Sequence, residues 1–175
     1  MQIENSTKTA KTIEVIDNFE VGRQFEEYII NLFNPQFFEI TEYNKSQKKK
    51  PGQILPGNHS ATNTNPDMTL MLFGNKKYRF AIECKYRTRF YGDELDWAYE
   101  HQIKNYKDFR KLASIPVFVA IGVGGHPSNP NELVVTPLEY IEMSTIALKS
   151  DLLPYKKRST RKFYYDIDSD HPKLF

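Results

Sequence analysis

The sequence has little of several features that would assign it to a function class. It has one cysteine, Cys84, in 175 residues, so no internal disulfide can form, and this usage fits a reducing, cytoplasmic setting. Its apolar runs are short, and the run at 116–123 is far below the ~20 residues that a membrane-spanning helix needs. No charged start followed by an apolar core and a small-residue cleavage site is present, so we expect neither an export signal nor a membrane partner.

The charge balance also lacks a strong bias. A formal net charge of +2 does not indicate nucleic-acid binding by itself. The basic residues are nevertheless clustered, in two runs: Lys48, Lys49 and Lys50, and then Lys156, Lys157, Arg158, Arg161 and Lys162. Such runs are typical both of solvated loops and of local phosphate-binding patches.

The sequence does contain enough apolar residues to form a hydrophobic core. The hydrophobic fraction is 39%, which predicts one folded domain over residues 1–175, with 1–15 loosely ordered and 44–65 a long polar loop. Periodicity and turn residues predict helices at 18–33, 94–113 and 137–149, and strands at 37–43, 67–73, 77–85, 116–123, 132–136 and 162–167. The expected fold class is therefore α/β, with a central sheet.

The strand at 77–85 carries the clearest chemical signal. Because side chains alternate along a strand, Glu83 and Lys85 share one face, while Phe80, Ile82 and Cys84 share the other. Charged groups on a central strand are costly to bury unless they are paired or bind a metal. An internal Glu83–Lys85 ion pair would explain these charges without any function.

A second acid precedes this strand. Asp67 follows Pro66 at the start of the neighbouring strand, and a hairpin with Gly74 and Asn75 at its turn would bring Asp67 close to Glu83. Carboxylate oxygens are the ligands that a hard cation such as Mg²⁺ prefers, and Mg²⁺ leaves room for water and phosphate.

Pro66-Asp67 followed by Glu83-Cys84-Lys85 resembles the motif of the PD-(D/E)xK, or restriction endonuclease-like, nuclease superfamily. Glu83-Cys84-Lys85 is the only place where an acid stands two residues before a lysine. The resemblance covers roughly Gly22 to Val123. It implies a central mixed β-sheet flanked by helices and a hydrolase that cuts nucleic acid, with DNA as the expected partner and Mg²⁺ or Mn²⁺ as the cofactor.

The resemblance also implies roles for the residues. Asp67, Glu83 and the backbone carbonyl of Cys84 would bind the metal, and Lys85 would orient the attacking water and offset charge on the phosphate. The candidate contacts to nucleic acid are Lys48, Lys49, Lys50, Arg87 and Arg89.

The first two predicted helices add further candidates. In the first, Glu26 lies on the apolar side and Glu27 on the polar side, and segment 22–26 is similar to the family helix that often carries an active-site acid. Glu26 would bind the metal through water or support a second ion. In the second, Gln102-x-x-x-Tyr106 is similar to an accessory motif of the exonuclease branch, where it positions substrate or the lysine; a core tyrosine with a satisfied glutamine is the alternative.

Two rival interpretations remain open. One is a module of the same fold that binds DNA or a protein without cutting; the other is an unrelated α/β domain whose charged face pairs internally. DNA or RNA, and cutting from ends or internally, are not distinguished. A nuclease of this size can cut both strands as a homodimer, but no residue indicates one.

Overall fold

The computed structural model describes residues 18–44, 64–73, 78–157, 162–163, 165–166 and 173–174. The predicted loose start at 1–15, almost all of the polar loop with Lys48–Lys50, and the turn at Gly74 and Asn75 lie outside the described residues. The prediction of one domain over residues 1–175 therefore stays a prediction.

Helices and strands are interspersed along the chain. The helices are α1 (Asn18–Leu32), α2 (Glu100–Ala113) and the single turn α3 (Lys149–Leu152). The strands are β1 (Phe38–Tyr43), β2 (Met68–Leu72), β3 (Tyr78–Arg87), β4 (Glu94–Asp96), β5 (Val117–His126), β6 (Asn129–Pro137), β7 (Ile146–Leu148), β8 (Tyr165–Asp166) and β9 (Lys173–Leu174).

Five strands form the central sheet, in the order β1-β2-β3-β5-β6. All neighbours are antiparallel except β3 and β5, which run parallel. Helix α1 packs on one face, where Phe25 and Ile29 meet Phe80 and Ile82. Helix α2 packs on the other face. The predicted fold class, a central mixed sheet flanked by helices, is confirmed.

Strand β5 is the centre of the core. Its side chains from Val117 to Val123 are buried, because α1 covers one face of the sheet and α2 the other. A strand buried on both faces needs apolar residues at every position rather than at alternate ones. The strand predicted from the apolar run at 116–123 is confirmed.

The alternation predicted for β3 is also confirmed. Phe80 and Ile82 lie in the cluster under α1, whereas Ala81 lies in the cluster under α2. Glu83 continues the Ala81 face and reaches Tyr106 of α2. The two faces of one strand thus separate apolar packing from the charged pair.

Two predicted helices are wrong in part. Helix α2 begins at Glu100, not at 94, because Leu95 and Trp97 are buried while Glu94 and Asp96 are exposed, which is the period of a strand. Residues 94–96 form β4, paired with β7. The helix predicted at 137–149 is instead a 3₁₀ turn at Leu138–Tyr140, then β7 and α3.

The strand predicted at 162–167 is described at 162–163 and 165–166. Of these residues only Tyr165–Asp166 is strand, and it pairs with Lys173–Leu174. Just before it, Phe163 is buried in the α1-side cluster, and its N–H donates to the carbonyl of Leu32 at 2.8 Å. The chain after β6 therefore returns to cover the end of α1. None of the described helices is long and apolar enough to cross a lipid bilayer.

Close packing of α1 on β5 gives the first prediction. A Cβ added at Gly122 would lie 2.9 Å from Cζ of the buried Phe25 ring and closer still to Cε2. We expect Gly122→Ala to lower the free energy of unfolding by about 1–3 kcal/mol, because the ring must move within a packed core. Gly22→Ala in α1 is the control, since nothing lies within 4 Å of its added Cβ, and it should stabilise slightly. Urea denaturation measures both, and equal effects would contradict the packing argument.

Candidate active site

The predicted site residues converge where β2 begins and β3 ends. Asp67 directly precedes β2, and Met68 pairs with Ile82, so Asp67 comes next to the Glu83 end of β3. The backbone N–H of Cys84 donates to Oδ2 of Asp67 at 2.7 Å. This bond holds the Asp67 carboxylate beside β3.

The same bond also orients the carbonyl of Cys84. In an extended strand the N–H and C=O of one residue point to the same side, so this carbonyl points to the side on which Asp67 lies. The Cys84 thiol has a different environment: burial, followed by Asp67 and Glu83, raises its pKa well above the ordinary value. A protonated thiol is a poor nucleophile and a poor metal ligand, so the backbone carbonyl is the group of Cys84 that can bind a metal.

Glu83 is held by two partners. Nζ of Lys85 lies 2.7 Å from Oε1 of Glu83, and the Tyr106 hydroxyl donates to the same oxygen at 2.6 Å. Lys85 also lies over the Tyr106 ring, 5.6 Å from its centroid. Both contacts use Oε1, so neither occupies Oε2. Burial, then Glu83, raises the pKa of Tyr106, which keeps the phenol protonated as a donor.

Glu26 points inward, as helical spacing predicts. It is 7% exposed, and its Oε2 accepts a hydrogen bond from the Tyr43 hydroxyl at 2.8 Å. Glu27 is exposed and pairs with Arg23. Sequence reasoning missed Tyr43; its only signal was its place at the end of the strand that precedes the polar loop.

The three carboxylates repel one another. Burial raises the pKa of Asp67 well above its ordinary value, and Glu83 and Glu26 raise it further, while the Cys84 N–H and Lys85 oppose the shift. Burial likewise raises the pKa of Glu26, and Glu83 and Glu27 add to it against the Tyr43 hydrogen bond. Three carboxyl groups meet one lysine in this cluster, so acidic groups outnumber the cation that lies among them.

This charge and these atoms suit a divalent cation. The available donors are carboxylate oxygens of Asp67 and Glu83 and the Cys84 carbonyl, which are hard ligands of the kind Mg²⁺ prefers. Within the described part of the chain, no three side chains of His, Cys, Asp or Glu are grouped so that they could hold an ion alone. Two carboxylates with one carbonyl, completed by water and phosphate, do not need a third.

The observed hydrogen bond of the Gln102 side chain is made at the start of α2 and does not involve Glu83 or Lys85. Its side-chain Oε1 accepts from the backbone N–H of Tyr99 at 3.1 Å, which satisfies a donor at the start of α2. The later start of the helix explains this position, because a residue expected in mid-helix lies in the first turn. Its predicted role on the substrate stays a prediction.

The basic candidates differ in their surroundings. The Arg87 guanidinium donates to the backbone carbonyls of Tyr86, Asp96 and Trp97, and burial lowers the pKa of Arg87. These contacts make it an anchor for the segment before α2. Arg89 is exposed, and its guanidinium carbon lies 4.9 Å from the Tyr91 ring centroid.

No protein-family model matches the chain, and no curated protein matches its sequence. Among solved structures it is similar to Hjc, a Holliday junction resolvase from the archaeal hyperthermophile Archaeoglobus fulgidus. The sequence identity is 15% and the TM-score 0.48, over 76% of this chain and 93% of that chain. This is a likeness of fold alone.

The repulsion within the acid cluster gives the second prediction. The raised pKa of Asp67 means that the folded state keeps a proton that the unfolded chain releases near pH 4, so stability falls as pH rises between the two pKa values. We expect metal-free Asp67→Asn to be more stable than the wild type at pH 7.5 by on the order of 1 kcal/mol, because the amide can still accept from Cys84 without being charged beside Glu83 and Glu26.

Urea denaturation from pH 4 to 8 measures this difference, which should shrink towards pH 4. Asp93→Asn, an exposed acid, is the matched control and should show no such trend. If the wild type is more stable than Asp67→Asn at pH 7.5, repulsion among the carboxylates does not destabilise the folded protein.

Proposed function

We propose that this protein is a nuclease that hydrolyses phosphodiester bonds of DNA with the help of Mg²⁺ or Mn²⁺. One observation carries the proposal: the Asp67 carboxylate is fixed by the Cys84 N–H beside the buried Glu83–Lys85 pair, and among the described residues of the site the acids outnumber the cations. Structural ion pairs balance their charges, whereas a site that awaits a cation has acids in excess.

Each residue has a part in the proposed reaction. Asp67, Glu83 and the Cys84 carbonyl would hold the ion, with Glu26 acting through water. When bound, a divalent cation lowers the pKa of a coordinated water and polarises the phosphate. Lys85, 11% exposed and already positioned by Glu83, orients the attacking water and offsets charge that develops on the phosphate oxygens.

Tyr106 supports this arrangement from α2. Its hydroxyl fixes Glu83, and its ring lies beneath the Lys85 ammonium, so both chemical groups on β3 are restrained by one side chain. A restrained acid and base lose less freedom when substrate binds. In the proposed reaction Tyr106 would be a positioning residue, which is the role that the resemblance implies for it.

A non-catalytic binding module is the second candidate. The buried contact between Glu83 and Lys85 favours it, because the two charges already satisfy each other. Such a module would bind DNA with metal-dependent affinity and leave it intact. In the third reading, an unrelated domain with a structural ion pair, Lys85→Ala would damage folding instead of activity. Pairing of two copies stays a prediction in all three.

Cleavage of labelled nucleic acid tests the proposal. Single-stranded, duplex, linear and circular DNA, and RNA, are incubated with Mg²⁺, Mn²⁺ or chelator. We expect wild-type cleavage only with metal, and a loss of about 100-fold or more in Asp67→Ala and Lys85→Ala. Lys104→Ala is the control, an exposed lysine of α2 paired with Asp108. Equal cutting by all four proteins would reject the site; metal-dependent binding without cutting would support the module.

Adjacent acids on α1 give a matched pair of variants. Glu26→Gln removes the inward carboxylate near Asp67, whereas Glu27→Gln removes an exposed one. We expect Glu26→Gln to lower the cleavage rate at limiting metal by about 10-fold or more, and to raise the metal concentration needed for half-maximal rate. Glu27→Gln should behave as the wild type. If the metal dependence of Glu26→Gln is unchanged, Glu26 is not part of the proposed metal site.

A further inference from the structure

A pair of stacked, exposed rings lies at the start of α2. Tyr99 is 68% exposed, and its ring stacks on that of the exposed His101, with centroids 5.7 Å apart and an angle of 9° between planes. We call these two rings the Tyr99 platform. One exposed tyrosine needs no explanation, but two rings stacked in parallel present an outer aromatic face at a defined place.

The chain topology places this platform at the open end of the candidate site. Helix α2 connects the parallel strands β3 and β5, so it runs back against them and begins at the edge where they end. Lys85 and Arg87 lie at that end of β3. Arg87 contacts the carbonyls of Asp96 and Trp97, and Tyr99 lies within electrostatic range of its guanidinium.

The distance along α2 to the chemistry is short. Tyr106, which contacts Glu83, follows Tyr99 by seven residues, a rise of about 10 Å. That length is about three base steps of a DNA strand at 3.4 Å each. A strand whose phosphate lies at Lys85 therefore has a base within reach of the platform.

The platform is held in place although it is exposed. Arg87 fixes the backbone just before Tyr99, and Gln102 accepts from the Tyr99 N–H. A fixed surface loses little conformational freedom on binding. The same connecting segment carries the exposed Arg89–Tyr91 pair, with the guanidinium over the ring, so aromatic and basic groups alternate on the way into α2.

We propose that the Tyr99 platform stacks against an unpaired nucleobase of the DNA substrate, so that the protein acts on DNA with a single-stranded segment at the site. This rests on the proposed nuclease function. The face of a base is available for stacking only when the base has left the duplex, whereas phosphates are exposed in both forms. Aromatic platforms of this kind bind bases without regard to sequence.

Binding of fluorescent oligothymidine and of a blunt duplex tests the platform, measured by anisotropy with Ca²⁺ or chelator so that no strand is cut. We expect Tyr99→Ala to weaken single-strand binding about tenfold or more and duplex binding far less. Tyr99→Phe keeps the ring and should bind as the wild type. The matched control is Phe37→Ala. Phe37 is 53% exposed and precedes β1, at the end of the sheet opposite to the one where β3 ends.

Direct stacking has its own spectroscopic signature. An oligothymidine with 2-aminopurine at one internal position should lose fluorescence on the wild type and on Tyr99→Phe, but not on Tyr99→Ala. A merely structural role of Tyr99 would not produce this pattern. Equal losses for single strand and duplex, or an equal effect of Phe37→Ala, would overturn the platform.

The failures of the two proposals can be told apart. Metal-dependent cleavage by the wild type, with single-strand affinity unchanged in Tyr99→Ala, would overturn the platform and leave the nuclease standing. Tyr99-dependent binding of single strands without cleavage of any substrate would support the platform and overturn the nuclease.

Discussion

The parallel pairing of β3 with β5 is the constraint on which the remaining architecture depends. Parallel neighbours cannot be joined by a tight turn and need a crossover, usually a helix. Here α2 is that crossover, and its return across the sheet places the Tyr106 hydroxyl on Glu83. Because the crossover starts where β3 ends, the charged pair, its support and the exposed rings all occur at one edge.

The acid cluster shows how a fold tolerates charge that does not stabilise it. Glu26, Asp67 and Glu83 come from a helix, a strand start and a strand interior, and the Lys85 ammonium pairs with Glu83 among them. Hydrogen bonds from Tyr43, the Cys84 N–H and Tyr106 each restrain one carboxylate. The apolar core on both faces of the sheet must supply the stability that this cluster removes.

Local periodicity predicted the parts of the site that lie on regular elements. The face shared by Glu83 and Lys85 followed from strand alternation, and the inward position of Glu26 from helical spacing. Contacts that depend on distant segments could not be predicted in this way. The bond from Tyr43 to Glu26 joins residues 17 positions apart, and Gln102 became a helix cap because residues 94–96 pair with β7 instead of extending α2.

The anchoring by Arg87 has a consequence for how such a protein can diversify. Its guanidinium binds main-chain carbonyls of Asp96 and Trp97, and a carbonyl is offered by every residue type. The exposed positions between Arg87 and Asp96, such as Arg89 and Tyr91, can therefore change their side chains without loss of these contacts. Under the proposed function, substrate preference can change there while Glu83 and Lys85 keep their places on β3.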